Sequence, residues 1–100
     1  MLNTIKWSSD FDVWLKALSD QRARAKILTR LRRAEFGNFG DSEPVGEGVS
    51  EMKIDYGPGY RVYYTRTGST IYLLLIGGDK GSQKRDIKKA KRMAKEEKDD

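Results

Sequence analysis

Between Gly48 and Lys80 apolar residues alternate with polar ones, and two clusters of turn residues interrupt the pattern. Gly57-Pro58-Gly59 and Thr67-Gly68-Ser69 supply the backbone freedom and the stops that tight turns need. The flanking runs are rich in Val, Ile, Tyr, Leu and Thr, so the segment predicts three consecutive β-strands. A three-residue loop at the first turn pairs Asp55 with Arg61, Ile54 with Val62, Lys53 with Tyr63, Met52 with Tyr64 and Glu51 with Thr65. The second turn then pairs Tyr64 with Tyr72 and Tyr63 with Leu73. Side chains alternate between faces. Met52, Ile54, Tyr56, Tyr60, Val62, Tyr64, Tyr72, Leu74 and Ile76 therefore share a core face. Glu51, Lys53, Asp55, Arg61, Tyr63 and Thr65 share a polar one. The run Ile71 to Ile76 is apolar on both faces, which places it inside a sheet.

Upstream, Leu2 to Trp7 predicts a short strand. Ser9-Asp10-Phe11-Asp12 resembles a capping box, and Phe11, Trp14, Leu15 and Leu18 recur at helical spacing, predicting a helix over Asp10 to Leu18. Ser19 and Asp20 break it, and a second helix follows from Asp20 to Phe36. Ala23, Ile27, Leu31 and Ala34 form its apolar stripe, Arg22, Lys26, Arg30 and Arg33 form a basic row, and Gly37 suits its C-terminal cap. Asn38 to Gly48 reads as a turn-rich connector. After a glycine-rich corner at residues 77–81, Ser82 to Lys95 predicts a third helix with a narrow stripe of Ile87, Ala90, Met93 and Ala94, and residues 95–100 read as a frayed tail. The expected fold is α+β in the order β-α-α-β-β-β-α. A small, mostly antiparallel sheet carries an N-terminal helical hairpin on one face, followed by a C-terminal helix. Its 100 residues form a single domain, 1–100, with one core between two layers.

The chain has no cysteine and no histidine. That excludes disulfides, thiolate metal sites, imidazole bases and Ser-His-Asp triads, so no metal and no cofactor is expected. No run is long and apolar enough to span a membrane and no signal peptide is visible, so a cytoplasmic location is expected. The net charge of +5 is concentrated. Residues 20–36 hold six basic against two acidic side chains, and residues 79–100 hold nine against six. Such an excess favours a nucleic acid or an acidic protein partner.

The layout, together with Glu51-Met52-Lys53-Ile54-Asp55-Tyr56-Gly57-Pro58-Gly59-Tyr60-Arg61-Val62-Tyr63-Tyr64 and Leu73-Leu74-Leu75-Ile76-Gly77-Gly78-Asp79-Lys80 followed by Gln83, Arg85, Asp86 and Ile87, resembles the RelE/ParE toxin superfamily. The likeness is strongest to its HigB-like, phage-derived addiction module killer branch. The resemblance implies the toxin of a bacterial type II toxin–antitoxin pair, held inactive by a cognate antitoxin with a helix-turn-helix domain. RelE-like members cleave messenger RNA on the ribosome without metal, whereas ParE-like members poison DNA gyrase without being enzymes. An inactive, toxin-derived regulatory partner is a third possibility within the resemblance.

Metal-free RNA cleavage needs a base for the 2′-OH, cations for the phosphorane and an acid for the leaving 5′-oxygen. Glu51 is the candidate base. Arg61, with its planar fork, is the candidate phosphate-holder, and Lys53 adds a second positive charge or, with a depressed pKa, a proton carrier. Lys80, Lys84 and Arg85 are candidate RNA- and phosphate-binding residues that follow the last strand, and Tyr63 is a candidate for base stacking. By the resemblance, Arg61 in Tyr-Arg-Val matches the strand arginine of RelE-like ribonucleases and Lys53 matches a strand lysine. Glu51 stands where RelE has a second lysine, and no aromatic residue follows Tyr72 to match the late tyrosine or histidine, which leaves the general acid unassigned. Taken without the resemblance, the same groups make ordinary cross-strand ion pairs on an exposed sheet face.

Overall fold

Five strands form one sheet in the order β1-β5-β4-β3-β2 in the computed structural model, which describes residues 2–98. The strands are β1 (Thr4–Trp7), β2 (Ser42–Gly46), β3 (Val49–Ile54), β4 (Tyr60–Arg66) and β5 (Ile71–Asp79). β1 runs parallel to β5, and the other neighbours are antiparallel. Helices α1 (Ser9–Ala17) and α2 (Gln21–Glu35) cover one face, and α3 (Gln83–Lys98) covers the other after a 3₁₀ turn at Lys80–Ser82. None of the helices is long and apolar enough to cross a membrane.

The helical hairpin begins and ends as its sequence dictates. Ser8, one residue before the expected cap, accepts from the Phe11 N–H and donates its own hydroxyl to the Leu75 carbonyl, so the cap also fastens α1 to β5. Asp20 accepts from the N–H groups of Arg22 and Ala23 and starts α2. At its end Gly37 takes φ +90°, its N–H reaches the Ala34 carbonyl, and the Asn38 N–H reaches that of Arg33. This double bond pattern closes the helix and needs a residue free to be left-handed.

The connector Asn38–Gly48 contains a strand that sequence did not predict. Pro44 and Gly46 argue against a central strand, but β2 lies at the sheet edge, where a missing N–H leaves no ladder partner unsatisfied, and the register shifts between Pro44 and Gly46. The hairpin registers differ as well. The first loop spans Asp55–Gly59, so Lys53 faces Arg61, Glu51 faces Tyr63 and Met52 faces Val62, a shift of two residues. Because side chains alternate with period two, that shift preserves both faces. In the second hairpin Tyr64 pairs with Leu74, and a bulge after it pairs Tyr63 with Ile76. The bulge turns Ile76 away from the expected core face, beside Leu75 and Tyr63.

The expected two layers and one core are in fact three layers and two cores. Phe11, Leu15, Ile27, Leu31, Met52, Ile54, Val62 and Leu74 are buried between the sheet and the hairpin. Val49, Tyr63, Leu75, Ile76, Ala90 and Ala94 are buried beneath α3. α3 extends to Lys98, into the stretch from residue 95 expected as a tail. Residues 99 and 100 lie outside the described residues.

Candidate functional site

Most of the polar row on β3 and β4 is covered by α3: Glu51, Tyr63 and Thr65 are buried and Arg61 nearly so, whereas Lys53 lies at the rim and Asp55 is exposed beside α2. Glu51 is 1% exposed. Its Oε2 accepts from Gln83 Nε2 at 2.8 Å and lies 3.9 Å from Arg61 Nε. The Arg61 side chain keeps 12% of its surface, and Nη1 makes long contacts of 3.4 Å to the carbonyls of Gly59 and Tyr60. Gly59 adjoins both Arg61 and Lys80: a methyl group there would sit in ordinary contact, 3.5 Å from Arg61 Nη1 and from Lys80 Cβ. Arg61 Nε and the Tyr63 hydroxyl are buried without hydrogen-bond partners among the described residues. Glu51 thus stands beside Arg61, with Lys53 across the ladder and Lys80 at the corner.

Lys53 Nζ pairs with Glu43 Oε1 at 2.8 Å. The hydrogen bond and charge of Glu43 push the Lys53 pKa up, and Lys53 in turn holds the Glu43 carboxyl below its ordinary value. Lys53 is therefore held as a cation, which overturns the expectation of a depressed pKa and proton-carrier role. Tyr63 is corrected too. Its ring is fully buried between α3 and the sheet, so it has no face to offer a base. Burial, followed by the neighbouring Glu51, raises the pKa of its phenol, which keeps its proton.

Lys84 and Arg85 diverge around the first turn of α3. Successive residues point about 100° apart on a helix with 3.6 residues per turn. Lys84 sits on the flank it shares with Lys91, whose Nζ lies 3.9 Å from Glu47 Oε2 at the β2–β3 turn. Arg85 points to the opposite flank, into a cleft shared with Trp14 of α1, and does not join Arg61. Sequence reasoning missed Glu43, which fell in the presumed connector. It also assigned no role to Gln83 or Asp86, although both fall on the buried stripe of α3 (83, 86, 87, 90, 94), where a polar side chain at helical spacing signals a buried hydrogen bond. The basic row of α2 is partly structural. Arg30 donates to the carbonyls of Lys53 at 2.6 Å, Phe39 at 3.1 Å and Asp41 at 3.4 Å, and Lys26 sits 5.2 Å from the centre of the Tyr56 ring. Arg22, Lys26 and Arg33 still edge an open groove with Ile54 and Asp55. No cluster of acidic side chains suited to a metal occurs among the described residues.

Chemically, the β3–β4 corner offers positive charge for a phosphate from Arg61 and Lys53, with the exposed Lys80 adjoining it, next to one carboxylate in a low-dielectric setting.

Comparison with known proteins bears on this arrangement. An uncharacterized protein of Haemophilus influenzae is 49% identical over 92 residues, which is 92% of this chain and 93% of that protein. The toxin in free Escherichia coli RelE, a double Arg-to-Ala mutant, superposes with a TM-score of 0.73 at 13% identity, over 92% of this chain and 98% of RelE. A chain of the toxin–antitoxin complex RelBE2 from Mycobacterium tuberculosis gives 0.64 at 15% identity, over 80% of this chain and 100% of that one. These structural likenesses establish a RelE-like fold. The model of the family described as Phage derived protein Gp49-like (DUF891) matches residues 13–98, and the chain belongs to that family.

Proposed function

We propose that this protein is the toxin of a two-protein toxin–antitoxin pair and acts as a metal-independent endonuclease on messenger RNA in the ribosome. The observation that carries the reading is the buried Glu51–Arg61 pair with Lys53 across the ladder, at a corner adjoined by Lys80, in a RelE-like fold. In the proposed reaction the 2′-hydroxyl loses its proton and its oxygen attacks the adjacent phosphorus. The bond to the 5′-oxygen breaks, that oxygen takes up a proton, and a 2′,3′-cyclic phosphate remains. Arg61 and Lys53 stabilise the phosphorane charge, and Lys80 holds the strand at the corner. Glu51 serves as base once the first turn of α3 releases it from Gln83. The general acid stays unassigned.

The antitoxin is a co-encoded protein with a helix-turn-helix domain on this reading, and the complex is cytoplasmic. The RelBE2 assembly supports an antitoxin partner by its fold likeness. A second reading is a ParE-like, non-enzymatic toxin of DNA gyrase, motivated by the groove beside Arg22, Lys26 and Arg33 on α2.

Purified protein added to a translating system separates the two. Cleavage of ribosome-bound messages, mapped at their new 5′ ends and lost in Arg61→Ala, supports the ribonuclease. Intact transcripts together with loss of gyrase supercoiling would replace it with the second reading. Neither effect would leave an inactive regulatory partner of the antitoxin.

A further inference from the structure

The other flank of α3 bounds a cleft of about 690 Å³ between α3, α1 and the end of β5. Its floor is the backbone of β5 at Gly77 and Gly78. The six-membered ring of Trp14 rests on Gly77 so closely that a Cβ there would fall 2.2 Å from it, so the glycine is what admits the indole. Trp14 is half-buried against Phe11 and Tyr60 and turns the rest of its ring to the cleft. Arg85, Lys88 and Arg92 line the opposite wall from one side of α3. The rise of 1.5 Å per residue spreads them over about 10 Å. Arg85 is 83% exposed on its side chain, and its sole acidic neighbour among the described residues is Asp86, at 4.0 Å.

Asp86 is the buried polar element of this wall, with a side chain only 9% exposed. Its Oδ2 accepts from the Ser82 hydroxyl, and a methyl group at Gly78 would collide with it. Its Oδ1 has no closer partner than Arg85 Nε at 4.0 Å and stands at the cleft wall. The cleft therefore combines an aromatic wall, a row of cations and two carboxylates, of which Asp79 accepts from the Gly81 N–H and Asp86 presents Oδ1 as the acceptor. Row and ring suit a phosphodiester chain with its bases unstacked. The acceptor suits the exocyclic amino group of adenine or cytosine, which uracil lacks. An acidic peptide finds the same cations but meets Asp86 as a like charge.

We propose that this cleft is a second nucleic-acid subsite, which takes a nucleotide of single-stranded RNA with its base against Trp14 and its phosphates on Arg85, Lys88 and Arg92. The choice of RNA rests on the function proposed above. The subsite is separate from the Arg61 corner, on the opposite flank of α3, so the two tests come apart.

Binding is measured without the ribosome, on a Trp7→Phe background so that Trp14 is the reporting indole. The probes are 2′-O-methyl oligoadenylate, oligocytidylate and oligouridylate, which cannot be cleaved. Saturable change in Trp14 emission is expected, with adenylate and cytidylate bound more tightly than uridylate. Replacing Arg85, Lys88 and Arg92 together by Gln should weaken binding at least tenfold. It should also flatten the slope of log K against log salt by about 2, from roughly 0.7 per phosphate contact on a single strand. Asp86→Asn should narrow the difference between the oligomers, with circular dichroism confirming the fold. The Trp14 emission change reports this cleft alone, so it is read separately from any loss of RNA affinity at the Arg61 corner. An unchanged affinity and slope in the triple variant, or binding without a change in Trp14 emission, would overturn the subsite. Oligoglutamate binding as tightly as RNA would replace it with a peptide site. Loss of message cleavage in Arg61→Ala with the subsite intact bears on the catalytic reading alone.

Discussion

The two faces of the sheet are built from different materials. Against α1 and α2 lie Phe11, Ile27, Leu31, Met52, Val62 and Leu74, and an aromatic chain runs Trp7–Phe11–Trp14–Tyr60 with centroid spacings of 5.3, 5.7 and 6.2 Å. On the other face α3 contributes two fully buried alanines, Ala90 and Ala94, and the sheet contributes Val49, Leu75 and Ile76 together with the polar Glu51, Tyr63 and Thr65, with Asp86 buried from the helix itself. Small side chains bring α3 close to the strands, and the close approach is what seals the polar groups. Hydrophobic burial scales with apolar area removed from water, so the first face supplies most of the stability. The second holds charged and hydrogen-bonding groups at fixed positions, at the expense of apolar packing. A site that must open to admit a substrate is better placed on the second face.

The sharpest way to break this contrast is to truncate one residue on each face. Phe11→Ala should cost about 4 kcal/mol, the usual range for a fully buried phenylalanine. Ala90→Gly, at the centre of α3, should cost about 1 kcal/mol through helix propensity. Urea unfolding measures both. Equal losses would mean that the two cores contribute alike.

Removing Arg61 tests whether the second face is functional. Arg61→Ala leaves the buried Glu51 carboxylate without its cation, held by the Gln83 amide. Breaking a fully buried pair costs several kcal/mol, and the 3.9 Å separation puts this one lower, at about 2. Message cleavage per folded molecule should fall about 10²–10³-fold. Arg61→Ala with Glu51→Gln should recover stability, since the orphaned charge is gone, but not cleavage. A double variant that cleaves like wild type would return the corner to a structural ion pair.

These contrasts also explain what the sequence disclosed. The face against α1 and α2 was legible because Met52, Ile54, Val62 and Tyr64 alternate, and Ile27, Leu31 and Ala34 repeat at helical spacing. A register error of two residues leaves that parity untouched. Ile76 was misplaced because no residue pattern announces the bulge between Tyr63 and Tyr64. The burial of Glu51 and Tyr63 was hidden because charged and phenolic side chains on an alternating strand read as solvent-facing. The narrow stripe on α3 and the apolar second face of Ile71 to Ile76 were the signs that another surface needed covering. Of the candidate residues, Arg61 lies beside Glu51 and across the ladder from Lys53, whereas Arg85 lies on a flank that consecutive numbering concealed.

Adjacent tyrosines offer a finer comparison, because Tyr63 faces α3 and Tyr64 faces α2. The Tyr64 hydroxyl is hydrogen-bonded to Ser42, and that of Tyr63 has no hydrogen-bond partner among the described residues. Tyr64→Phe should therefore cost about 1 kcal/mol, and Tyr63→Phe should be near neutral at pH 7. Above pH 10 the order should change. Burial raises the pKa of both phenols, so the folded chain keeps protons that the unfolded chain releases. Stability is then complete below the unfolded pKa of about 10 and declines as pH rises past it. Tyr63→Phe should remove the larger part of that decline, having the greater shift. Parallel alkaline unfolding curves for wild type and Tyr63→Phe would show that the phenol titrates freely and that α3 does not seal it.

The smallest expected effect lies at the open rim of the second face, where Glu43 on β2 pairs with Lys53 on β3. Both groups are solvent-exposed, so Glu43→Gln should leave the unfolding midpoint close to that of wild type. Its consequence is in charge. Glu43 raises the Lys53 pKa first by its hydrogen bond and then by its field, so the substitution should bring the Lys53 titration midpoint down toward that of a free lysine. NMR of the lysine ε-carbons measures the change directly. The folded-state contribution follows two limits: the raised Lys53 pKa supports stability below the unfolded lysine pKa, and the lowered Glu43 pKa supports it above the unfolded carboxyl pKa. The pair is thus complete across neutral pH and weakens at both extremes, which Glu43→Gln should abolish. Releasing Lys53 also leaves an unneutralised cation across the ladder from Arg61. Binding of an RNA oligomer at the corner should therefore tighten modestly, with a steeper dependence on salt. A Lys53 midpoint that stays where it was would mean that the ion pair does not form in solution, and that the rim of this face is as open as its sequence first suggested.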